Sequence, residues 1–163
     1  MPATPINVSA ANEAVLHLAA ADAATANSAV DALVVPGMQD ITINNSTGVF
    51  RFKTLDNTAE SAVTTPATNQ LSLNAIVDST AFFGTAVALD DDAKENGLFG
   101  VSKNKTKVFF NVYFDGTDSN SKFLSGSGFV SGLAPTVNMD SPVWVTPVTI
   151  EVDGDFTQHD VPA

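Results

Sequence analysis

The chain has 163 residues, 44% of them hydrophobic, which is enough for one domain with its own core, assigned to residues 1–163. The formal net charge is −11, and no Lys or Arg occurs before Arg51 or after Lys122, which argues against conventional nucleic-acid binding because such binding uses basic side chains against phosphate. Cysteine is absent, which excludes disulfides and thiolate chemistry, and no stretch approaches the roughly 20 apolar residues that cross a bilayer, so we expect no membrane contact.

Residues 1–35 are predicted to form an N-terminal arm and an Ala-rich segment. The two prolines within residues 1–9 favour an extended arm, and the alanines of residues 10–32 favour a helix by intrinsic propensity. A competing prediction makes residues 30–35 a strand that ends at the following Pro-Gly pair. We expect a loose or helical segment followed by that strand.

A first hairpin is predicted from two segments, residues 41–43 and residues 48–55. Between them, residues 44–47 (Asn-Asn-Ser-Thr) are typical of a turn, because Asn supports positive φ and short polar side chains bond the backbone. Residues 56–70 are rich in Thr, Ala and Asn and short of bulky apolar side chains. They therefore predict a long exposed loop.

The middle of the chain predicts further strands and a short helix. Residues 71–77 alternate between apolar and polar side chains, and residues 81–89 form an apolar run broken at Gly84, so the two segments together are predicted to supply at least one more strand. Residues 90–99 begin with three aspartates that can cap free amides and reach a Gly about two turns later. This pattern predicts a short helix.

The last part of the chain predicts an antiparallel set of strands. Residues 108–114 are apolar on both faces for most of their length, which indicates a central strand. Residues 122–130 and 144–152 supply two more strands, and residues 157–163 are expected to be a C-terminal tail. The predicted fold class is mainly β, an antiparallel sandwich or small barrel with one short α-helix packed on it.

No catalytic, cofactor or metal site is predicted. His17 and His159 stand outside any ligand spacing such as His-x-x-x-His, so we expect solvated or capping histidines. The glycines near Ser127 form neither a nucleophile elbow nor a phosphate-binding loop. Acidic stretches at residues 90–94 and 115–120 fit a helix cap and a turn better than a calcium site. We therefore predict a protein that is not an enzyme.

The order of parts in the second half resembles a bacteriophage tail tube subunit, also called the major tail protein. A short acidic helix leads into the apolar residues 108–114, a glycine-broken segment follows at residues 125–130, and the Val/Thr-rich residues 141–150 precede an acidic ending at residues 153–156. The resemblance implies a structural virion protein of stacked, hexameric rings that form a hollow, acidic-walled conduit for DNA ejection. It also implies that strands line the conduit and that a helix packs outside them.

The resemblance implies places for the assembly residues. Residues 56–70 would join neighbouring rings, with the candidates Asn57, Glu60, Val63 and Thr65, and residues 1–9 or 157–163 would be arms. The packed helix would include Asp90, Asp92, Leu98 and Phe99. Acidic side chains within or beside strands are candidates for the lumen wall: Asp56, Glu60, Asp78, Asp140 and Glu151.

The resemblance further implies the partners and the location. The partners would be other copies of the chain, a tape-measure protein, tail-end proteins and double-stranded DNA that passes without specific binding. The location would be the virion tail, after assembly in the host cytoplasm. Two alternatives stay open on composition: a capsid decoration protein, which is also small, β-rich and acidic, and a bacterial surface or adhesion module with the same Thr, Asn and Ala bias.

Overall fold

The computed structural model describes residues 14–20, 24–27, 32–85, 93–115, 121–140 and 142–161, which are mainly β. The strands are β1 (Val15–Ala19), β2 (Leu33–Val34), β3 (Met38–Phe52), β4 (Ser61–Ile76), β5 (Lys107–Tyr113), β6 (Lys122–Leu133), β7 (Val145–Val152) and β8 (Thr157–Asp160). The described helical segments are a 3-10 turn (Thr25–Asn27), α1 (Ser79–Phe83) and α2 (Ala93–Asn104). None of these helices is long and apolar enough to cross a membrane. The predicted mainly β class is confirmed.

The described strands form one eight-stranded antiparallel sheet. Its order is β2-β1-β5-β6-β7-β4-β3, and β8 lies off this path. One edge of β6 pairs with β5, and the other pairs first with β8 and then with β7. Because β5 also pairs with β1, it has a neighbour on each side, as its apolar sequence predicts.

One face of the sheet carries the hydrophobic core. Side chains alternate between the two faces of a strand, so every second residue of the inner strands is buried on this side. The helices α1 and α2 pack on the same cluster. Its buried members include Leu16, Leu18, Leu71, Leu73, Phe82, Leu98, Val101, Val108, Phe110, Val112, Val148 and Ile150.

Residues 81–83, the start of the apolar run considered for a strand, belong to the helix α1, and residues 86–89 of that run lie outside the described residues. The carboxylate of Asp78 accepts hydrogen bonds from the backbone N–H groups of Thr80 and Ala81, each at 3.0 Å, and so caps the helix. The predicted acidic helix is present from Ala93 onwards as α2. Its proposed N-terminal members Asp90 and Asp92 lie outside the described residues.

The long hairpin of β3 and β4 corrects two further predictions. Residues 44–47, predicted as a turn, continue β3 and pair with residues 67–70. Residues 61–70, predicted as part of an exposed loop, belong to β4, so the connection lies at residues 53–60. The cross-strand ladder pairs the backbone groups that the two arms turn towards each other, so the arms stay extended without burying their side chains.

Both predicted terminal segments contain strands. Residues 15–19 form β1 instead of a helix, because pairing with β5 buries Leu16 and Leu18 and this burial outweighs the helix propensity of the neighbouring alanines. The strand predicted for residues 30–35 is present as the short β2. At the other end β8 pairs with β6, so the predicted tail is partly a sheet strand. The predicted arm at residues 1–9 lies outside the described residues.

Candidate assembly surfaces

The outer half of the β3–β4 hairpin projects from the body of the protein. Gln70 is the outermost residue of β4 that also pairs with β7, through Glu151. Beyond this pair, residues 44–52 and residues 61–68 are exposed. At about 3.4 Å per residue, the arm extends for roughly 27 Å. Its outer edges offer backbone N–H and C=O groups with which another chain can pair.

Exposed apolar side chains cluster at the end of this hairpin. The ring centroids of Phe50 and Phe52 are 6.2 Å apart, and Val63 pairs directly with Phe50. These side chains are 61%, 39% and 53% exposed, and Leu55 in the turn is fully exposed. We call these four residues the tip patch. Thr65 is exposed in the same arm. Contiguous apolar side chains in water mark an interaction surface.

Polar side chains shape the turn of the hairpin. Asn57 accepts a hydrogen bond at Oδ1 from the backbone N–H of Ala59 at 3.1 Å and donates its own N–H to the Thr54 carbonyl oxygen at 3.3 Å. The Asp56 carboxyl accepts a hydrogen bond from the Thr54 side chain and another from the backbone N–H of Asp56 itself. Both hydrogen bonds hold the pKa of this carboxyl below its ordinary value. Glu60 is exposed at the end of the turn. The turn is therefore ordered by its own Asp and Asn residues.

The sheet face opposite the core is polar across β3, β4 and β7. Gln70 donates from Nε2 to Oε1 of Glu151 at 2.7 Å, and Asn74 donates from Nδ2 to Oδ2 of Asp40 at 2.8 Å. Because its ionisable side chains are carboxylates, this surface is acidic. Its residues, which we call the polar sheet face, are Asp40, Thr42, Asn44, Gln70, Ser72, Asn74, Thr149 and Glu151.

The structure separates the five carboxylates predicted for a lumen wall. Glu151 lies on the polar sheet face, whereas Asp56 and Glu60 lie at the hairpin turn. Asp78 caps α1, and Asp140 is exposed in the connection between β6 and β7. Asp40 joins Glu151 on the polar sheet face although the sequence did not single it out. The sequence could have indicated Asp40, because it alternates with Thr42 and Asn44 along one face of β3. The incorrect turn predicted at residues 44–47 interrupted this pattern.

A second exposed apolar surface lies in the connection between β6 and β7. A bridge closes its base: Thr136 and Val145 exchange backbone hydrogen bonds of 2.8 and 2.9 Å. Four large apolar side chains of this connection are between 41% and 100% exposed. They are named the loop patch, and they are Val137, Met139, Val143 and Trp144.

The helices bring three phenylalanines together at a groove. The ring centroid of Phe82 lies 5.0 Å from that of Phe83 and 5.9 Å from that of Phe99. All three line an open groove of about 510 Å³ that reaches the end of β6; Phe82 is itself buried, whereas Phe83 and Phe99 are exposed. Of the residues predicted for a packed helix, Leu98 faces the core and Phe99 faces this groove.

Both histidines belong to a row of aromatic rings that crosses four strands. The successive centroid distances are 4.9 Å from His17 to Tyr113, 4.8 Å from Tyr113 to Phe123, and 5.1 Å from Phe123 to His159. His17 is only 1% exposed, and its Nδ1 lies 3.0 Å from the carbonyl oxygen of Ala26. Burial lowers the pKa of His17, and the hydrogen bond opposes this effect. The expectation of a solvated or capping histidine is therefore wrong for His17.

No group of at least three His, Asp or Glu side chains in the described ranges is arranged to hold a metal ion. The described residues instead form four surface features: a projecting hairpin with free edges, an acidic sheet face and two apolar patches. Such features serve contacts between macromolecules.

Comparison with known proteins identifies the fold. No protein-family profile matches the sequence, and no curated protein sequence matches it. Solved structures do match: the tail of an empty GTA particle refined with C6 symmetry (TM-score 0.64, 6% identity, 92% of this chain and 98% of that chain). A subunit of the virion of a native gene transfer agent (GTA) particle also matches (TM-score 0.63, 6% identity, 93% and 99%), as does the SPP1 tail tube (TM-score 0.66, 12% identity, 93% and 79%). The chain therefore has the fold of phage and GTA tail and tail tube subunits.

Proposed function

We propose that this chain is a structural subunit of a virion tail tube and that it assembles into stacked rings of six copies. The observation that carries the proposal is the tail tube fold, shared over more than nine-tenths of the chain. The C6 symmetry of the similar GTA tail supports six copies in each ring.

The free strand edges support self-association within a ring. β3 is a 15-residue edge strand, and the outer part of β4 lacks a second neighbour beyond Gln70. An exposed edge of this length is a template for pairing with another chain. In a closed ring each subunit covers the edge of the next, so that no edge stays open.

The polar sheet face is the surface that we assign to the lumen. It carries Asp40 and Glu151, and the chain as a whole has a formal net charge of −11. A negative wall repels phosphate, which allows double-stranded DNA to pass without specific binding. Of the candidates predicted for the lumen, Glu151 is the one that we retain on this face.

The hairpin is the element that we assign to contacts between rings. Its turn and its exposed arm carry Asn57, Glu60, Val63 and Thr65. The remaining partners in this proposal are a tape-measure protein within the growing tube and the proteins at the two tube ends. Assembly takes place in the host cytoplasm, before the tail becomes part of the virion.

Negative-stain electron microscopy of the purified protein tests the proposal. The protein is concentrated in steps at low and high salt, because salt screens the repulsion between acidic subunits. We expect hollow rods or six-fold rings that become more abundant with concentration. Discrete trimers that do not grow at any concentration would contradict the proposal and would instead fit a capsid decoration protein.

A further inference from the structure

The two exposed apolar patches lie at opposite ends of the same sheet. β4 begins at Ser61, which pairs with Phe52 of the tip patch. It ends at Ile76, which pairs with Val145, the residue that follows the loop patch. A strand of 16 residues spans about 50 Å. The two patches are therefore too far apart to cover each other within one subunit.

Each patch has the composition of an interface centre. The tip patch contains two phenylalanines, and the loop patch contains Trp144, which is 51% exposed, and Met139, which is fully exposed. Aromatic side chains and Met are enriched at the centres of protein interfaces, where they supply most of the binding energy.

We propose that the tip patch of one copy packs against the loop patch of the next copy, head to tail. This inference rests on the proposed function and identifies the surface that receives the hairpin. Because the two patches differ, the contact is heterologous, and a stack of copies keeps one free patch at each of its ends. Such a contact repeats without limit along an axis, whereas a patch that bound its own copy would stop at a dimer.

Charges beside the patches favour the same pairing. Arg51 alternates with Phe50 and Phe52 along β3, so its side chain leaves the other face of the hairpin beside the tip patch. Lys53 follows the end of β3, and Asp140 follows Met139 in the loop. These basic residues are two of only seven in a strongly acidic chain. Head-to-tail contact brings them towards Asp140, while Asp56 and Glu60 lie further on, in the turn. The contact thus has an apolar centre with opposite charges at its rim.

Both surfaces are held in place before they meet. The backbone N–H of Val77 donates to the Trp144 carbonyl oxygen at 2.8 Å, which fixes the end of the loop patch to the sheet. The tip patch is carried by a paired ladder from Phe50 and Phe52 to Val63 and Ser61. Preorganised surfaces lose less conformational entropy when they bind.

Cysteine cross-linking tests the contact, since the chain has no cysteine of its own. Ser61→Cys places a thiol beside the tip patch, and Val143→Cys places one in the loop patch. A mixture of the two single variants, treated with a short bismaleimide under assembly conditions, is expected to give cross-linked dimers, and the double variant is expected to give a ladder. Each single variant alone is expected to give neither. Phe129→Cys is the matched control, because Phe129 is 43% exposed against 42% for Val143 but lies on the other side of β7 from the hairpin.

The outcomes separate this contact from the proposed function. Tubes without a cross-link between the Ser61→Cys and Val143→Cys variants would overturn the contact and leave the tail tube proposal standing. Cross-linked dimers in the Ser61→Cys variant alone would also overturn it, because the tip patch would then bind itself. Cross-linked ladders without rings or tubes would support the contact and contradict the tail tube proposal.

Charge exchange provides a second readout on the same contact. Arg51→Glu is expected to reduce the yield of the cross-link between the two cysteine positions, and Asp140→Arg is expected to reduce it as well. When the Ser61→Cys chain carries Arg51→Glu and the Val143→Cys chain carries Asp140→Arg, the yield is expected to recover. Equal yields in all four combinations would exclude the pairing of these charges.

Discussion

Asn69 donates a hydrogen bond from Nδ2 to the carbonyl oxygen of Gly154 at 2.8 Å and so ties the root of the projecting hairpin to the turn between β7 and β8. The same nitrogen lies 3.2 Å from Oδ1 of Asp155. Asn69 is only 3% exposed, and its own Oδ1 has no hydrogen-bond partner. The amide therefore acts here as a donor, and the direction in which the hairpin leaves the body depends on it.

Asn69→Asp tests this anchor. The substitution removes the donor and places a carboxylate against a carbonyl oxygen and the Asp155 carboxylate, so we expect a loss of about 2–3 kcal/mol in the free energy of unfolding. Asn69→Ala removes the donor without adding charge and is expected to cost about 1 kcal/mol. Urea denaturation measures both. Asn45→Asp is the control, since Asn45 pairs with Asn69 across the hairpin but is exposed, and a loss as large as that of Asn69→Asp would contradict the anchor.

Shortening the hairpin is expected to separate folding from assembly. Residues 46 and 68 are paired, so an Asn-Gly turn can replace residues 47–67 and close a two-residue hairpin. The removed arms are exposed, so we expect the free energy of unfolding to stay within about 1 kcal/mol of the wild type. We expect no rings stacked into rods, because the inter-ring element and the tip patch are gone.

Circular dichroism during urea unfolding and electron microscopy at matched concentrations check the two parts of this prediction. A control in which residues 47–67 keep their length but Phe50 and Phe52 become Ser retains the arm and removes the apolar contact. Rods of normal length from the shortened variant would contradict the role assigned to the hairpin.

Gly97 is expected to be one of the least replaceable residues of the helical layer. Its φ is +66°, and a Cβ atom at this position would lie 2.4 Å from the backbone nitrogen of Gly84 and 2.5 Å from the carbonyl oxygen of Phe82. Gly97→Ala therefore combines strain with a backbone clash, and we expect a loss of about 3 kcal/mol or more. Gly154→Ala is the control: φ is +98°, but nothing lies within 4 Å, so strain alone should cost about 1 kcal/mol. Equal losses in urea denaturation would show that the close approach of α1 and α2 contributes nothing.

The strands of the second half could be predicted from the sequence because their signals are local. β5 is apolar on both faces and is internal in the sheet, and the residues of β7 alternate between buried and more exposed positions as a half-buried strand requires. The acidic segment also predicted a helix where α2 lies, but Gly97 does not end that helix: it stands inside α2 with a non-helical backbone (φ +66°, ψ 178°), and α2 continues to Asn104. In these segments propensity, pattern and packing agree.

The hairpin and the N-terminal strand could not be predicted because their structure depends on distant partners. Asn44 to Thr47 carry good turn residues, but the ladder to β4 keeps them extended. The Thr-rich arm that follows lacks the apolar pattern of a buried strand because it is exposed on both faces. At β1, tertiary pairing with β5 overrides the helix propensity of the surrounding alanines. The five carboxylates predicted for the lumen lie in different parts of the structure for the same reason. Which carboxylates share a face depends on how the strands pair, and the sequence alone does not give this pairing.

His17 is expected to make the protein less stable as the pH falls below about 6.5. Burial lowers the pKa of His17 in the folded state, so below the ordinary value of 6.5 the unfolded chain binds a proton that the folded chain does not. As the pH decreases below 6.5, the free energy of unfolding therefore decreases, by at most about 1.4 kcal/mol per pH unit, until the pH reaches the lowered pKa. Above 6.5 both states are neutral at this site, and His17 adds no pH dependence.

His17→Asn removes this titration and keeps a donor for the Ala26 carbonyl oxygen. Urea denaturation at steps from pH 7.5 to 5.5 should show a smaller decrease in the variant than in the wild type. His159→Gln, which changes the exposed histidine at the other end of the aromatic row, is the control and should keep the contribution of His17. Parallel profiles for wild type and His17→Asn would show that the buried imidazole does not account for the acid sensitivity.

The acidic polar sheet face is expected to matter for DNA passage and not for assembly. Glu151 accepts its hydrogen bond from Gln70 on an open surface, so Glu151→Lys leaves the core intact but places one cationic side chain per subunit on the proposed lumen wall. Repeated around every ring, these lysines would bind phosphate and slow the DNA. Asp160→Lys is the matched control, because it makes the same change of charge on β8, outside the polar sheet face. In particles that carry each variant, electron microscopy should count normal tails for both, while DNA delivery should fall for Glu151→Lys alone. Delivery that is unchanged by Glu151→Lys, or equally reduced by Asp160→Lys, would show that the charge of this face does not govern passage.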